Sequence, residues 1–322
     1  MNKLKDFFKT ELPRINHVLK KEIQVLNPMV REVGEHVLMA GGKRLRPMLT
    51  ILTSRCLGET QKDIYPLACS LEFLHSATLI HDDILDNADV RRGRKCTHLV
   101  FGVKRAVLAG DALLALANML VARYDIPAMN YCVAEAILQT VSGEVVEIDN
   151  LRNPLMDETT YLEIVRGKTA FLIQAACACG AMVAGASRDV QSRVSSFGMN
   201  LGIAFQLVDD ALDYAVDAKL LGKPHGNDIR EGKITLPLIL FLKSLATQDR
   251  EILLEKIEAN SLNEKEMQGI ISHIQKAGLD EKVRQEADVY IKEAVNSLLT
   301  FPESHERCLM EEMVEMVKSR NF

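Results

Sequence analysis

Asp82, Asp83 and Asp86 in LIHDDILD, and Asp209, Asp210 and Asp213 in LVDDALD, are two copies of one acidic pattern, DDxxD. Residues four apart on a helix project the same way, so Asp82 pairs with Asp86 and Asp209 with Asp213. Like charges at that spacing cost an isolated helix roughly 0.2–0.5 kcal/mol per pair. A cost repeated twice beside apolar sequence implies a cation. Oxygen donors with no softer ligand point to a hard divalent metal, and Mg2+ carrying substrate phosphates fits best.

Cations stand close to these carboxylates. The first motif runs on into Arg91-Arg92-Gly93, and arginine forks match phosphate oxygens two at a time. Gly41-Gly42-Lys43-Arg44-Leu45-Arg46-Pro47 reads as a glycine turn opening a basic helix start, with Lys43 and Arg46 one turn apart, where backbone N–H groups and the helix dipole favour an anion. Gly167-Lys168-Thr169 lies in or beside a helix and is not a P-loop, because the upstream glycine of that pattern is missing. After the second motif, a polar glycine-rich stretch carrying Lys223 and Lys233 reads as a lid or a phosphate clamp.

The elements that must position these groups are helical. Apolar spacing with a helical period predicts helices over 3–25, 28–40, 44–57, 63–89, 97–124, 129–150, 157–185 and 188–218. A charged tail of shorter helices follows from about 234 to 320. Breaks are expected at Asn27-Pro28, Ala40-Gly41-Gly42, Asn153-Pro154 and from Gly222 to Gly232. The expected fold is all-α: one bundle over 1–322, with the two acidic motifs, 127 residues apart, facing each other across it.

Composition narrows the function. The chain is 48% hydrophobic and 26% charged, which marks a globular protein rather than a disordered one. A net charge of −5 argues against a nucleic-acid binder, while local basic clusters still admit anionic substrates. Seven cysteines without a CxxC pair argue against a disulfide framework or a zinc site and suit buried thiols in a reducing cytosol. Residues 1–10 carry charges and no apolar run, so no secretory signal is read there. The uncharged stretch from Thr169 to Ser187 has the composition of a short membrane span, but its small residues suit a core helix better.

GGKRLRP, LIHDDILDNADVRRG, GKT, FQLVDDALD and GKPHGNDIREGKITLPL follow one another over about residues 41–240. In order and spacing this resembles the trans-polyprenyl diphosphate synthase family. The resemblance implies a helical bundle of the isoprenoid synthase type with a central substrate cavity, its motif-bearing core over about 28–240 and a helical C-terminal part over about 241–322. It implies that Asp82, Asp86 and Asp209 bind Mg2+, three ions per site with substrate present, and that Asp83, Asp210 and Asp213 serve as further ligands or support. Arg91, Lys168, Lys223 and Lys233 would hold an allylic diphosphate. Gly42, Lys43, Arg46, His75 and Arg92 would hold isopentenyl diphosphate, and Thr169 and Gln206 would aim oxygen dipoles at the allylic cation. The implied reaction is a head-to-tail prenyl transfer needing no side-chain nucleophile.

The chain departs from the family pattern at Lys95-Cys96, where Pro-Thr is usual, and at Glu147, where Gln is common. In such proteins the residues before the first motif limit product length; here they are Leu74, Ala77 and Thr78. Ala77 lies about 7–8 Å along the helix from Asp82 and is too small to block a growing tail, so a long product, octaprenyl first, is expected. A floor set elsewhere would give a shorter geranylgeranyl product. A terpene cyclase would carry a different second metal motif, and a di-iron bundle needs more than the single Glu72-x-x-His75. A catalytically inert subunit of a heteromeric synthase would be expected to lose its aspartates, which are intact here. A cytoplasmic homodimer is implied, without a membrane-spanning segment, passing its oily product to a membrane or to quinone side-chain attachment.

Overall fold

In a computed structural model the protein is described over residues 2–215 and 226–319. Its elements run in chain order from α1 (Asn2–Glu22) through α2 (Pro28–Leu38), α3 (Leu45–Cys56) and α4 (Tyr65–Leu85) to two short strands, β1 (Val90–Arg91) and β2 (Arg94–Lys95). Next come α5 (Thr97–Phe101), α6 (Val103–Ala122), α7 (Pro127–Asp149), α8 (Glu158–Val165), α9 (Phe171–Val183) and α10 (Arg188–Tyr214). The remainder comprises α11 (Asn227–Glu231), α12 (Leu236–Ser244), α13 (Thr247–Glu258), α14 (Glu264–Lys276), α15 (Leu279–Leu298) and α16 (His305–Lys318). The all-α class expected from the sequence is the class observed.

Local chemistry sets the boundaries. The Asn27 side chain accepts from the Met29 N–H at 3.0 Å and Pro28 starts α2, a polar cap followed by a residue with no amide proton to satisfy. Helix α4 stops short of the expected residue 89. Asn87 turns left-handed (φ 50°), Ala88 N–H reaches Asp83 O and Asn87 N–H reaches Ile84 O, which together close the last turn. The hairpin that follows was not expected. It pairs Val90 with Lys95 and Arg91 with Arg94, and positive φ at both Arg92 (51°) and Gly93 (74°) gives the two-residue turn that suits twisted strands. The expected helix 97–124 is cut in two at Gly102, whose φ of 83° no helical residue adopts. The expected helix 157–185 is interrupted by a π-helical turn, Arg166–Ala170, in which Phe171 N–H donates to Arg166 O five residues back.

The chain forms two compact units, each drawn from several stretches of sequence. The first comprises Met1–Ile137, Leu172–Gly198 and Ser297–Met313. Its core is built on α4, where Leu67, Leu71, Phe73, Leu74, Ala77 and Ile80 are buried, and on α6, whose Ala106, Ala109, Ala117 and Leu113 let the two helices close on each other. Each large apolar side chain removed from water there contributes about 1.5–3 kcal/mol. Helix α6 is long and apolar enough to span a bilayer, a feature the sequence reading overlooked, yet its inner face belongs to this core. Helix α9, within the uncharged stretch the sequence reading did weigh, is buried from Leu172 to Val183 apart from two partly exposed positions, as a core helix should be.

The second unit comprises Leu138–Phe171, Met199–Asn296 and Val314–Phe322. Tyr161, Ile164, Ile203, Leu207, Tyr214, Leu238, Phe241, Ile271 and Ile274 form its core. The seven cysteines are all free thiols, and five are buried.

Candidate active site

In the first unit, α4 delivers the first acidic motif at its C-terminal end. Asp82 and Asp86 are both half-buried, and Asp86 N–H donates to Asp82 O at 2.8 Å, so the two residues stand one turn apart as the spacing predicts. Asp83 points the other way and is 2% exposed. The hairpin brings Arg91 back to it, with Arg91 Nε donating to Asp83 Oδ1. The Cys96 thiol also bonds to Asp83, and burial, then the Asp83 charge, pushes that thiol up to about 12. The motif therefore separates into two outward carboxylates and one that anchors the hairpin.

The glycine turn before α3 meets the same hairpin. Arg92 donates to Gly41 O, and its guanidinium lies 2.9 Å from where a Cβ on Gly42 would sit. Any side chain at 42 would evict Arg92, and the φ of 136° at Gly42 also favours glycine. Arg44, left-handed at φ 52°, turns inward: it pairs with Glu72 at 2.7 Å and donates to Leu38 O. Arg44 thus anchors the turn. Lys43 is exposed in the loop before the helix, so it does not share a helical face with Arg46.

Arg46 is half-buried and its Nε has no hydrogen-bond partner among the described residues. Burial pushes its pKa down to about 10, with Glu72 opposing and Arg92 assisting, so it stays charged at neutral pH. Burial, followed by Arg46, Arg92, Arg91 and Arg44, holds His75 well below the usual imidazole range and keeps it neutral. Burial lowers Arg92 as well. Cations whose charge is disfavoured chiefly by burial, grouped beside a neutral imidazole, make a receptor for a multiply charged anion. Leu74 and Ala77 lie fully buried on α4 before Asp82, and Thr78 is half-buried with its hydroxyl donating to His75 O at 2.9 Å.

In the second unit the second motif divides its labour differently, with one exposed carboxylate and two that anchor neighbouring groups. Asp209 is exposed and Asp213 half-buried, one turn apart on α10, while Asp210 is buried between them. Asp210 accepts from Tyr161 OH at 2.5 Å and from Gln206 Nε2 at 2.7 Å. Burial pushes Asp210 up to about 7, those two hydrogen bonds oppose it, and Asp209 and Glu147 add to it. Asp213 accepts the backbone N–H groups of Asn227 (3.1 Å) and Asp228 (3.0 Å) and so secures the start of α11. Asp228, to which the sequence reading gave no role, is pushed well up by burial, then by Asp213 and Asp210.

The π-helical turn presents Lys168 and Thr169 to this group. Thr169 Oγ1 donates to Gln206 Oε1 at 2.8 Å, extending a chain from Thr169 through Gln206 and Asp210 to Tyr161. A regular helix would set Tyr161 and Thr169 about 80° apart. The wider π turn takes up part of that angle, so both side chains reach α10. Lys168 is held by Glu144 at 2.8 Å and by Glu147. Burial alone would lower it, but Glu147 and Glu144 more than offset this and raise its pKa. Lys233 donates to Glu231 at 2.6 Å. Lys223 lies outside the described residues.

Sequence reasoning gave no role to Tyr161, Glu144 or Gly202, and it named Gly167 without seeing that Gly167 and Gly202 seat the turn. A Cβ on Gly167 would lie 2.6 Å from Gly143 Cα, and one on Gly202 would lie 2.5 Å from Ala170 Cα. The available signals were the Gly143-Glu144 pair and a glycine two turns before the second motif. The first motif offers Asp82 and Asp86 and the second an exposed Asp209, with Asp213 beside it holding backbone N–H groups, and Mg2+ is ordinarily held by one or two carboxylates together with phosphates and water. The donor set fits that ion.

Over residues 27–274 the chain matches the Polyprenyl synthetase family. It is 31% identical over 315 residues to the octaprenyl diphosphate synthase of Haemophilus influenzae, covering 97% of this chain and 94% of that one. To the geranylgeranyl diphosphate synthase of Sulfolobus acidocaldarius it is 34% identical over 305 residues, 92% of each chain. Its fold is similar to the crystal structure of a polyprenyl synthase from Caulobacter crescentus complexed with calcium and isoprenyl diphosphate. The TM-score is 0.93 at 33% identity, over 99% of this chain and 97% of that one.

Proposed function

The chain belongs to the polyprenyl synthetase family and is a prenyltransferase, and we propose that it joins isopentenyl diphosphate head-to-tail to an allylic diphosphate, repeating the step to a long all-trans product. The observation that carries the substrate reading is the cationic cluster of Arg46 and Arg92 with neutral His75 beside the Gly41–Gly42 turn. Together with Lys43 these groups suit the diphosphate of isopentenyl diphosphate. Arg91, Lys168, Lys223 and Lys233 are assigned to the allylic diphosphate. Of these, Arg91, Lys168 and Lys233 already hold carboxylates, which keep them charged, and a diphosphate would share or take over those contacts. We read the whole chain as one catalytic domain, since the family match draws on residues of both units.

Asp82, Asp86, Asp209 and Asp213 would hold Mg2+, with the other aspartates in support. When bound, that metal neutralises the leaving diphosphate and acts as a Lewis acid. The remaining work falls to the chain. The allylic C–O bond breaks with its electron pair leaving on diphosphate, and the Thr169 and Gln206 oxygens face the developing cation as fixed dipoles. The double bond of isopentenyl diphosphate attacks that carbon, and the proton lost to close the new double bond goes to the departing diphosphate. Neutral His75 serves as a hydrogen-bonding group, not as a base.

For product length we propose octaprenyl, because the fully buried Ala77 and Leu74 present no aromatic block before Asp82. The Haemophilus influenzae relative supports this length and the Sulfolobus acidocaldarius relative supports the shorter alternative, geranylgeranyl. Purified protein given Mg2+, farnesyl diphosphate and labelled isopentenyl diphosphate is expected to build a ladder ending near octaprenyl. Ala77→Phe is expected to shorten it by several isoprene units, and an unchanged ladder would remove Ala77 from the passage. Arrest of the unchanged protein at geranylgeranyl would favour the shorter reading. No turnover with any primer would point to a missing subunit.

We further propose a homodimer, placed in the cytoplasm, releasing its product to a membrane. On α6, Leu108 and Met119 are 58% and 56% exposed and lie about 20° apart around the helix, on the side away from the core. Sedimentation of the unaltered chain is expected at twice 35.9 kDa, and of Leu108→Glu at the monomer mass. A Leu108→Glu protein that remains dimeric would exclude this face.

A further inference from the structure

Behind the segment that carries Asp228 and Lys233, the second unit holds a cavity of about 90 Å³ that no residue assigned above lines. Its polar wall is Arg152, Arg230, Lys256 and Asn260, and its remaining wall is aliphatic apart from Gly232. Arg230 pairs with Glu264 at 2.6 Å and Lys256 with Glu266 at 2.5 Å, but neither carboxylate lines the cavity. Arg152 has no carboxylate partner among the described residues, and its buried Nε has no hydrogen bond. An unmet donor of this kind costs about 1–3 kcal/mol, and more when charged.

Arg152 is held there by the backbone. It is left-handed at φ 56°, and its N–H donates to Gly232 O at 2.8 Å. Its side chain lies on Gly232, where an added Cβ would come within 2.9 Å of Arg152 Cγ and 3.1 Å of Nε. The guanidinium therefore cannot swing away over Gly232 without losing that seat. A volume of about 90 Å³ holds about six to nine water-sized groups at 10–15 Å³ each, enough for a phosphate. A planar guanidinium beside a second guanidinium and an ammonium suits a tetrahedral oxyanion.

We propose that this cavity is a phosphate-binding site, separate from the substrate groups, in which inorganic phosphate or diphosphate ties residues 229–234 to Arg152 and Lys256. Ile229, Arg230, Gly232 and Ile234 form its wall, so the bound anion restrains the same segment that presents Asp228 and Lys233. The binding claim stands apart from the prenyltransferase reading.

Amide hydrogen exchange of the full chain across 226–234 tests it without any turnover. Orthophosphate, diphosphate and chloride are compared at equal ionic strength without divalent metal. At ten times the dissociation constant, opening of 229–234 is expected to slow about tenfold in the unaltered chain. Arg152→Met should abolish the slowing, and Arg92→Met, which removes a cation of the other unit, should keep it. If Arg152→Met melts as an unfolded chain, Lys256→Met is read in its place. Saturation at lower diphosphate than orthophosphate would identify the released product as the ligand, and the reverse order would identify free phosphate. Absence of slowing in the unaltered chain, or slowing that persists in the folded cavity variant, overturns the site.

Discussion

Asp82→Ala and Asp209→Ala are each expected to lower turnover by about 10²–10³-fold, the loss typical of removing one preorganised group that stabilises charge in a transition state. The same changes should shift the melting temperature little, because Asp82 is half-buried and Asp209 exposed. Asp83→Ala should behave in the opposite way, because Asp83 is buried and holds Arg91 and the Cys96 thiol. Allowing for the partial exposure of Arg91, about 1–3 kcal/mol of stability should be lost. Paired measurements of turnover and thermal unfolding separate the two roles. Chelation of divalent metal should abolish turnover in the unaltered protein. Full activity of Asp82→Ala or Asp209→Ala would refute the assignment of the outward carboxylates.

That separation within one motif was half legible in the sequence. Spacing alone put Asp82 with Asp86 and Asp209 with Asp213, because a four-residue step is nearly a full helical turn. It also left Asp83 and Asp210 on another face. It gave no partner for either, since Arg91 reaches Asp83 only through a hairpin turning at Arg92-Gly93, and two-residue strands leave no alternating pattern to read. The helix over 63–89 was expected to run too far for a related reason. Asn87 does not interrupt apolar periodicity; it ends the helix by adopting a left-handed conformation.

The basic turn shows the same limit. Gly41, Gly42 and the string of cations announced an anion site, yet Lys43, Arg44 and Arg46 look alike in sequence. Only the fold shows that Arg44 is committed to Glu72, twenty-eight residues away, while Arg46 is left with an unbonded Nε. Glu147 was visible as an unusual residue without a physical reason. The structure places its carboxylate on Lys168, beside Glu144, so the lysine faces two acidic groups. Tertiary pairing of this kind has no local signature.

Gly167→Ala should be among the most damaging single-methyl changes in the second unit. The new Cβ would lie 2.6 Å from Gly143 Cα, 2.9 Å from Gln139 O and 3.0 Å from Gly143 N, all backbone atoms of α7 that no rotamer change can move. On the far side of the same turn, Gly202 of α10 leaves 2.5 Å between a would-be Cβ and Ala170 Cα. The π-helical turn carrying Lys168 and Thr169 is therefore seated between two helices at glycine contacts. Overpacking of this kind costs about 1–3 kcal/mol, and a shift on the order of 1 Å in groups that position substrate can cost about 10²-fold in rate. Gly167→Ala is thus expected to lose both stability and turnover, and so is Gly202→Ala. Gly269→Ala makes the control: it sits inside α14 with nothing within 4 Å, so the same methyl group should stabilise by up to about 1 kcal/mol. If Gly167→Ala unfolds at the temperature of the unaltered chain and turns over at its full rate, the glycine contact does not set the position of Lys168 and Thr169. If stability falls while the rate per folded molecule holds, the contact supports the fold and leaves the chemistry alone.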